Sequence, residues 1–225
     1  KELNRLSVSY NKMLERLSEA FKIQRQFTEN AAHELRTPLS LMQIQLDLYN
    51  SGKHPGNDAD TIQTIKMVTE QNERLSKMVK TLLDMSELQT VGRDETIVVN
   101  ALVDEVLADL EPLAQEKNIK LTGKCKDINM VGSDILIYRL VYNLVENAIK
   151  YNHSGGQVLV EAYQREKQVY LSVEDTGSGI PEELKERVFE PFFRVDKSRS
   201  RELGGVGLGL ALVNEIVRVH DGSIA

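Results

Sequence analysis

From Leu3 to Ala31 the apolar and small residues recur at alternating intervals of three and four: Leu3, Leu6, Tyr10, Met13, Leu17, Ala20, then Phe27 and Ala31, with Gln24 the polar interruption. That spacing draws one narrow stripe along an α-helix, the seam of a coiled coil rather than the broad face of a globular helix. No glycine or proline breaks the run before Pro38, after which Leu39, Met42, Leu46 and Tyr49 continue it. At the helical rise per residue such a helix is about 70 Å long. The segment Asn50-Ser-Gly-Lys-His-Pro-Gly-Asn57 is dense in turn formers. A second periodic run then passes through Ile62, Ile65, Val68, Leu75, Met78, Leu82 and Met85 to Val91-Gly92-Arg93. Two thin helices with one stripe each cannot bury their faces alone. A second copy of the hairpin solves this, so the pattern predicts a four-helix bundle in a homodimer. Met13, Met42, Met67, Met78 and Met85 are then filler in the seams.

Beyond about residue 95 the periodicity changes. Ile97-Val98-Val99 reads as a short strand, and Asn100 as the cap of a helix holding Leu102, Val103, Val106, Leu107 and Leu110. Residues 119–121 and 129–131 read as strands, 134–151 as a helix, and 157–163 with 169–174 as a β-hairpin. A glycine-rich stretch leads into a last helix over 207–220. The expectation is an α+β sandwich, helices packed on one mixed sheet. Apolar residues at 41% permit a packed core, and a net charge of −6 argues against non-specific nucleic-acid binding. The single Cys125 excludes an intramolecular disulfide and a cysteine-based zinc site; it reads as an unreactive strand or turn residue. No apolar run of about 18 residues is present, so no segment reads as a membrane span. The chain begins at Lys rather than Met, and the expectation is a portion of something longer.

Five segments stand out chemically. His33-Glu34-Leu35-Arg36-Thr37-Pro38 lies within the first helix, with His33 and Thr37 on one face. Pro38 lacks an N–H and its ring crowds the carbonyl of Glu34, so a bend just after His33 is expected. Glu34 could take a proton from one ring nitrogen while the other acts as nucleophile; an ordinary surface histidine near a kink is the plainer reading. In Asn143-Leu-Val-Glu-Asn147-Ala-Ile-Lys150-Tyr151 the two amides, the lysine and the tyrosine share the helix face opposite Leu140, Val141, Leu144, Val145 and Ala148. Amide oxygens suit Mg²⁺, lysine suits phosphate and tyrosine packs on a base or sugar; a solvated polar face is the alternative. Asp175-Thr-Gly177-Ser-Gly179 follows a strand, as an approach to a flat ligand or as a simple turn. Gly204-Gly205-Val-Gly207-Leu-Gly209 opens the last helix, where successive N–H groups suit phosphate. It is neither a Walker A loop nor a dinucleotide fingerprint. Phe189-Glu-Pro-Phe-Phe-Arg194 lies between, its apolar residues anchoring a loop and Arg194 near the ligand. His54, His153 and His220 read as surface or helix-end residues, and Lys197, Arg199 and Arg201 as a charged flexible segment.

Taken in order, these segments resemble the sensor histidine kinases of bacterial two-component systems. His33–Pro38 is similar to the phospho-acceptor box, and the other four to the boxes of the ATP-binding domain. The resemblance implies a signalling coiled coil over 1–20, a dimerisation and phosphotransfer hairpin over 21–92, and a catalytic ATP-binding domain over 93–225, of the gyrase and Hsp90 type and shortened at its C-terminus. It implies that ATP and Mg²⁺ bind here. Asp175 accepts from the adenine amine, Asn147 ligates Mg²⁺ with Asn143 in support, Lys150 meets phosphate, and Tyr151 packs near the nucleoside. Gly177 and Gly179 line the base, while Gly205, Gly207 and Gly209 allow a lid to close on the triphosphate. Arg194 stabilises charge on the transferring group, His33 is phosphorylated with Glu34 as general base, and Thr37 positions water for the phosphatase reaction. The implied partners are a second copy of the chain and a response-regulator receiver domain; no nucleic acid is implied, and a membrane only through upstream segments. The chain would then be the cytoplasmic portion of a membrane-anchored protein, with a hinge near Val91-Gly92-Arg93. Two rivals remain at this stage: a related ATPase, which would lack the His-bearing hairpin, and an ATP-binding dimeric scaffold without kinase activity. A eukaryotic-type protein kinase is excluded by the absence of His-Arg-Asp and Asp-Phe-Gly motifs.

Overall fold

The structure, a computed structural model, describes residues 2–51, 58–196 and 205–224. Its contacts divide the chain into two compact units, Lys1–Met78 and Val79–Ala225.

In the first unit the expected long helix forms as α1 (Glu2–Asn50), 49 residues that continue through Pro38. Pro38 is buried in the seam with α2 (Asp58–Glu87), as are Thr64 and Met78. The turn expected over 50–57 falls largely on residues outside those described, as does His54. Phe27, Ala31, Leu35 and Met42 on α1, with Val68 and Leu75 on α2, are half-buried within the hairpin. Leu39, Ile44, Leu48, Ile62 and Ile65 are exposed, Ile62 being 65% exposed. Met78 is fully enclosed, whereas Met13 and Met67, also expected as filler, are exposed in the single chain.

The second unit holds β1 (Glu95–Val98), α3 (Val99–Glu116), β2 (Lys120–Cys125), β3 (Asn129–Gly132), α4 (Asp134–Lys150), β4 (Gln157–Arg165), β5 (Gln168–Asp175) and, after two short 3₁₀ turns, α5 (Gly209–Val219). The expected single mixed sheet is instead two sheets. β1 pairs antiparallel with β3, while β2 runs parallel to β4, which pairs antiparallel with β5. The break falls between β2 and β3. Lys126 N still donates to Ala162 O beside β4, but two residues on, Ile128 O accepts from Val99 N beside β1. The same bond corrects the expected cap of α3. The Val99 N–H is served from the β2–β3 connection, and the helix starts at Val99 with no side-chain cap. Asn100 therefore sits inside the first turn, its Nδ2 donating to Asp127 Oδ1 at 3.0 Å.

The core lies between α3, α4, α5 and the three-stranded sheet. Val103, Val106 and Leu110 of α3 meet Val141, Val145 and Ile149 of α4, Val158 and Val160 of β4, and Val213 and Ile216 of α5. β4 buries Val158, Val160 and Ala162 at alternate positions, as its sequence alternation requires. The β4–β5 turn places Glu166 and Lys167 both at positive φ, the backbone of a type I′ turn. His220 closes the end of α5: Nδ1 lies 2.8 Å from Ile216 O, and Nε2 accepts from Ser133 N at 3.1 Å. Among the described residues no helix is long and apolar enough to cross a membrane.

Ile149 is completely enclosed at the last turn of α4. Ile149→Ala is expected to destabilise the second unit by about 2–5 kcal/mol through lost transfer energy and a residual cavity. Urea unfolding of the two proteins, followed by circular dichroism, measures the difference.

Candidate functional site

The first candidate site is the His33 segment of α1. Helical spacing puts His33 and Thr37 on the exposed face, and the Thr37 hydroxyl donates back to His33 O at 3.2 Å. The bond is local back-bonding within one turn; the carbonyl that the missing N–H of Pro38 leaves without a helical donor is that of Glu34. Glu34 points the other way. Its carboxylate is in the hairpin seam, Oε2 lying 3.7 Å from Arg74 Nη2 on α2, with the side chains 25% and 14% exposed respectively. Sequence reasoning passed over Arg74, because nothing local marks which residue of α2 will meet Glu34. Beside it on α2, Gln71 carries a buried Oε1 with no hydrogen-bond partner.

The second candidate site is in the second unit, where α4, the end of β5 and the start of α5 contribute. The apolar face of α4 is committed to the core, so Asn143 and Asn147 are left half-buried on the opposite face. Asn143 Nδ2 donates to Arg139 O at 2.7 Å. A Cβ added to Gly209, the first residue of α5, would lie 2.9 Å from Asn143 Oδ1 and 3.7 Å from Asn147 Nδ2. Gly209 therefore keeps open a small cradle between the two amides and a helix N-terminus.

Among the described residues no group of three or more His, Cys, Asp or Glu could hold a metal ion. Neutral amide oxygens fit a hard divalent cation that arrives with the negative charge of a triphosphate, and the open cradle beside them agrees with that chemistry.

Lys150 is half-buried and its Nζ lies 3.0 Å from Glu146 Oε1, with Glu146 only 9% exposed. The (i, i+4) spacing of this pair was legible in the sequence but was not used. Lys117, also missed, caps the same turn: its Nζ donates to Ile149 O at 3.3 Å and Lys150 O at 2.8 Å, meeting carbonyls that no helical N–H can reach. Tyr151 follows as the C-cap, its N–H bonded to Asn147 O.

Asp175 ends β5 and is exposed, with Gly177 N donating to its Oδ1 at 2.7 Å. Gly177 is needed for closeness: a Cβ there would sit 2.6 Å from Tyr151 O and 2.7 Å from Asp175 Oδ1. Gly179 answers the other requirement, adopting φ +66 with open space around it. Ser178 N donates to Tyr151 O, so the Asp175 turn closes on the end of α4.

Phe189, Phe192 and Phe193 are half-buried rather than core residues; Val188 is the buried member of that segment. Phe192 N donates to Gly207 O at 2.7 Å, and Arg187 lies over the Phe193 ring, 4.4 Å from its centre. A Cβ at Gly207 would strike Phe193 O at 2.6 Å. Arg194 and Gly205 are half-buried on either side of 197–204. Gly204, Lys197, Arg199 and Arg201 fall outside the described residues.

Elsewhere, burial and then the hydrogen bond to Asp109 push the Tyr138 hydroxyl far above its usual range. Burial also pushes the Cys125 thiol up, in keeping with an unreactive strand residue.

Residues 23–91 match the His Kinase A (phospho-acceptor) domain, and residues 132–225 match the Histidine kinase-, DNA gyrase B-, and HSP90-like ATPase. The signal transduction histidine-protein kinase ArlS of Staphylococcus aureus is 34% identical over 232 residues, covering 99% of this chain and 50% of ArlS. The chain thus spans about half the length of the curated relatives it matches. Among solved structures, the Acinetobacter baumannii histidine kinase AdeS aligns with a TM-score of 0.67 at 26% identity, over 83% of this chain and 86% of that one. Histidine kinase ThkA, solved in complex with response regulator protein TrrA, aligns with a TM-score of 0.71 at 26% identity, over 91% of this chain and 57% of ThkA.

The crowding at Gly177 makes a direct prediction. Gly177→Ala displaces either the Asp175 carboxylate or the end of α4. Nucleotide affinity is expected to fall at least tenfold, about 1.4 kcal/mol, as measured by titration with a fluorescent ATP analogue. The second unit should still melt cooperatively.

Proposed function

This chain belongs to the sensor histidine kinases of two-component systems, and from that premise we propose that it transfers the γ-phosphoryl group of ATP to His33 and then to an aspartate of a response regulator. The observation that carries the proposal is the exposure of the His33 ring on a helix whose neighbouring carboxylate, Glu34, is turned into the hairpin and held there. The ring is left open to an incoming phosphorus. A plain ATPase has no use for such a hairpin, and residues 23–91 match a phospho-acceptor domain.

The roles are those that the family resemblance implies, and the geometry is compatible with them. Asp175, with one oxygen already engaged by Gly177 N, accepts from the adenine amine. Tyr151, beside that turn, packs near the nucleoside. Gly177 and Gly179 admit the base; Gly205, Gly207 and Gly209 keep backbone N–H groups near the phosphates. Lys150 meets phosphate, and its existing partner Glu146 holds the ammonium in place beforehand. Mg²⁺, ligated by Asn147 with Asn143 in support, neutralises phosphate charge when bound. Arg194 adds charge stabilisation at the transferring group.

A neutral imidazole nitrogen of His33 attacks the γ-phosphorus. A P–N bond forms as the P–O bond to ADP breaks, and the proton on the other ring nitrogen passes to Glu34. For this Glu34 must leave Arg74, so that ion pair holds the base in reserve. Thr37, on the face of His33, is suited to orient water in dephosphorylation of the regulator.

We further propose that 1–20 transmits the signal as a coiled coil, 21–92 dimerises and carries the phosphoryl group, and 93–225 binds the nucleotide. Gly92 then acts as a hinge that lets the two parts meet, with Pro38 as a second flexible point. The half of the relatives' length that this chain does not span is where sensing and membrane attachment would reside, leaving this part cytoplasmic. The solved complex of ThkA with TrrA supports a receiver domain as the partner.

The exposed Ile44 and Leu48 of α1, with Ile62 and Ile65 of α2, fit contact with a second copy of the hairpin. Replacing Ile44 and Ile65 together by Glu is expected to convert a dimer into a monomer in sedimentation equilibrium. An unchanged mass would sink the bundle.

The decisive chemical test is incubation with Mg²⁺ and γ-labelled ATP. The parent should acquire acid-labile, alkali-stable label, and His33→Gln should acquire none. Label retained by that variant would refute His33 as acceptor; steady phosphate release without label would point to the ATPase relatives.

A further inference from the structure

We propose that Asn152 is a positioning residue for base recognition: its buried amide fixes the turn that carries Asp175, and thereby sets how well the site tells adenine from a purine lacking the exocyclic amine. The proposal rests on Asp175 as the acceptor for that amine.

Asn152 follows α4 and is 7% exposed, so its amide needs partners from the protein. It finds them on three segments. Nδ2 donates to Gln157 O at 3.1 Å, at the first residue of β4. Oδ1 accepts from His153 N at 3.0 Å and from the Thr176 hydroxyl at 3.1 Å. The Thr176 hydroxyl accepts in turn from Gln157 N at 2.9 Å, and Thr176 N donates to Gln157 O at 3.2 Å. The hydroxyl has one proton to give. Asn152 Oδ1 receives it, since the competing contact to Gln157 O is 3.5 Å. The result is a closed ring of hydrogen bonds one step beyond the last β4–β5 pair, Val158 with Asp175.

The ring leaves no slack around it. A Cβ at Gly156 would meet Asn152 Oδ1 at 2.2 Å and Thr176 Oγ1 at 2.8 Å, and one at Gly177 would meet Asn152 Cα at 3.1 Å. Thr176 is the residue after Asp175, so whatever holds Thr176 holds the root of the Asp175 carboxylate. Tyr151, the residue before Asn152, receives Ser178 N on its carbonyl. One amide therefore ties both sides of the base corner. It lies behind the exposed Asp175 and Gly179 and is not itself part of the surface they present.

Asn152→Asp preserves shape and the two accepted bonds, but sets an oxygen against Gln157 O where a donor stood. Asn152→Ser keeps a hydroxyl that can serve Thr176 and acts as the milder variant. The experiment measures equilibrium dissociation constants of the whole chain for Mg-ATP and for Mg-purine riboside triphosphate, which lacks the amine, alongside thermal melting. The parent is expected to prefer ATP. Asn152→Asp should lose about tenfold in ATP affinity while binding the amine-free analogue nearly as the parent does, so that the preference collapses; Asn152→Ser should fall between. Should the Asp variant fail to melt cooperatively, Asn152→Ser carries the same comparison. A preference that survives in the variants, even with both affinities lowered, would overturn the proposal and leave Asn152 a purely structural residue. A parent that binds both nucleotides equally would remove the Asp175 reading and this proposal with it, and Asp175→Asn, tested beside it, separates the two failures.

Discussion

The nucleotide half of the molecule depends on the commitment of one face of α4 to the core. Val141, Val145 and Ile149 are fully enclosed against α3, β4 and α5. Burying three such side chains outweighs any local preference for turning the helix, at roughly 1.5–3 kcal/mol each. The rotation of α4 about its axis is therefore not free. Asn143, Asn147 and Lys150 must emerge on the other side, the two amides beside the first residue of α5. Lys117 then stops the last turn from fraying by capping the carbonyls of Ile149 and Lys150. Recognition chemistry and stability are thus opposite faces of one rigid element, which is the arrangement a precise site requires.

The helical hairpin solves a different problem. Its seam closes around Pro38, Thr64 and Met78, while leucines and isoleucines outside it stay exposed. That apolar surface on two long helices is what the proposed homodimer would cover. The same geometry sorts the two neighbours His33 and Glu34. One residue of helical rotation, about 100°, separates an exposed ring from a carboxylate in the seam. Arg74 then holds the carboxylate, so the proposed base starts the reaction paired and must be released to act.

Much of this was readable from the sequence because the relevant signals are local. The interval of three and four and the strand alternation at 157–163 each report a backbone period, and each element forms close to where its period lies. Less was readable wherever a residue's role is set by a distant partner. Asn100 looks like a cap, but the helix starts one residue earlier at Val99 and the Asn100 amide turns to Asp127. β2 and β3 look like neighbours in one sheet until the chain crosses between sheets within Asp127 and Ile128. Asn152 carries no motif at all; it matters because Thr176 and Gln157 arrive beside it.

The sequence by itself determined the elements, their order and the identity of the chemical groups, since helix pitch and strand pleat act over a few residues and the five segments are legible as text. Only the tertiary structure decided that the strands divide into two sheets, that Glu34 meets Arg74, and that a buried amide ties the Asp175 turn to the end of α4. The physical reason is burial. Once a polar group leaves water it must find a partner, and which partner is near depends on packing that no local pattern encodes.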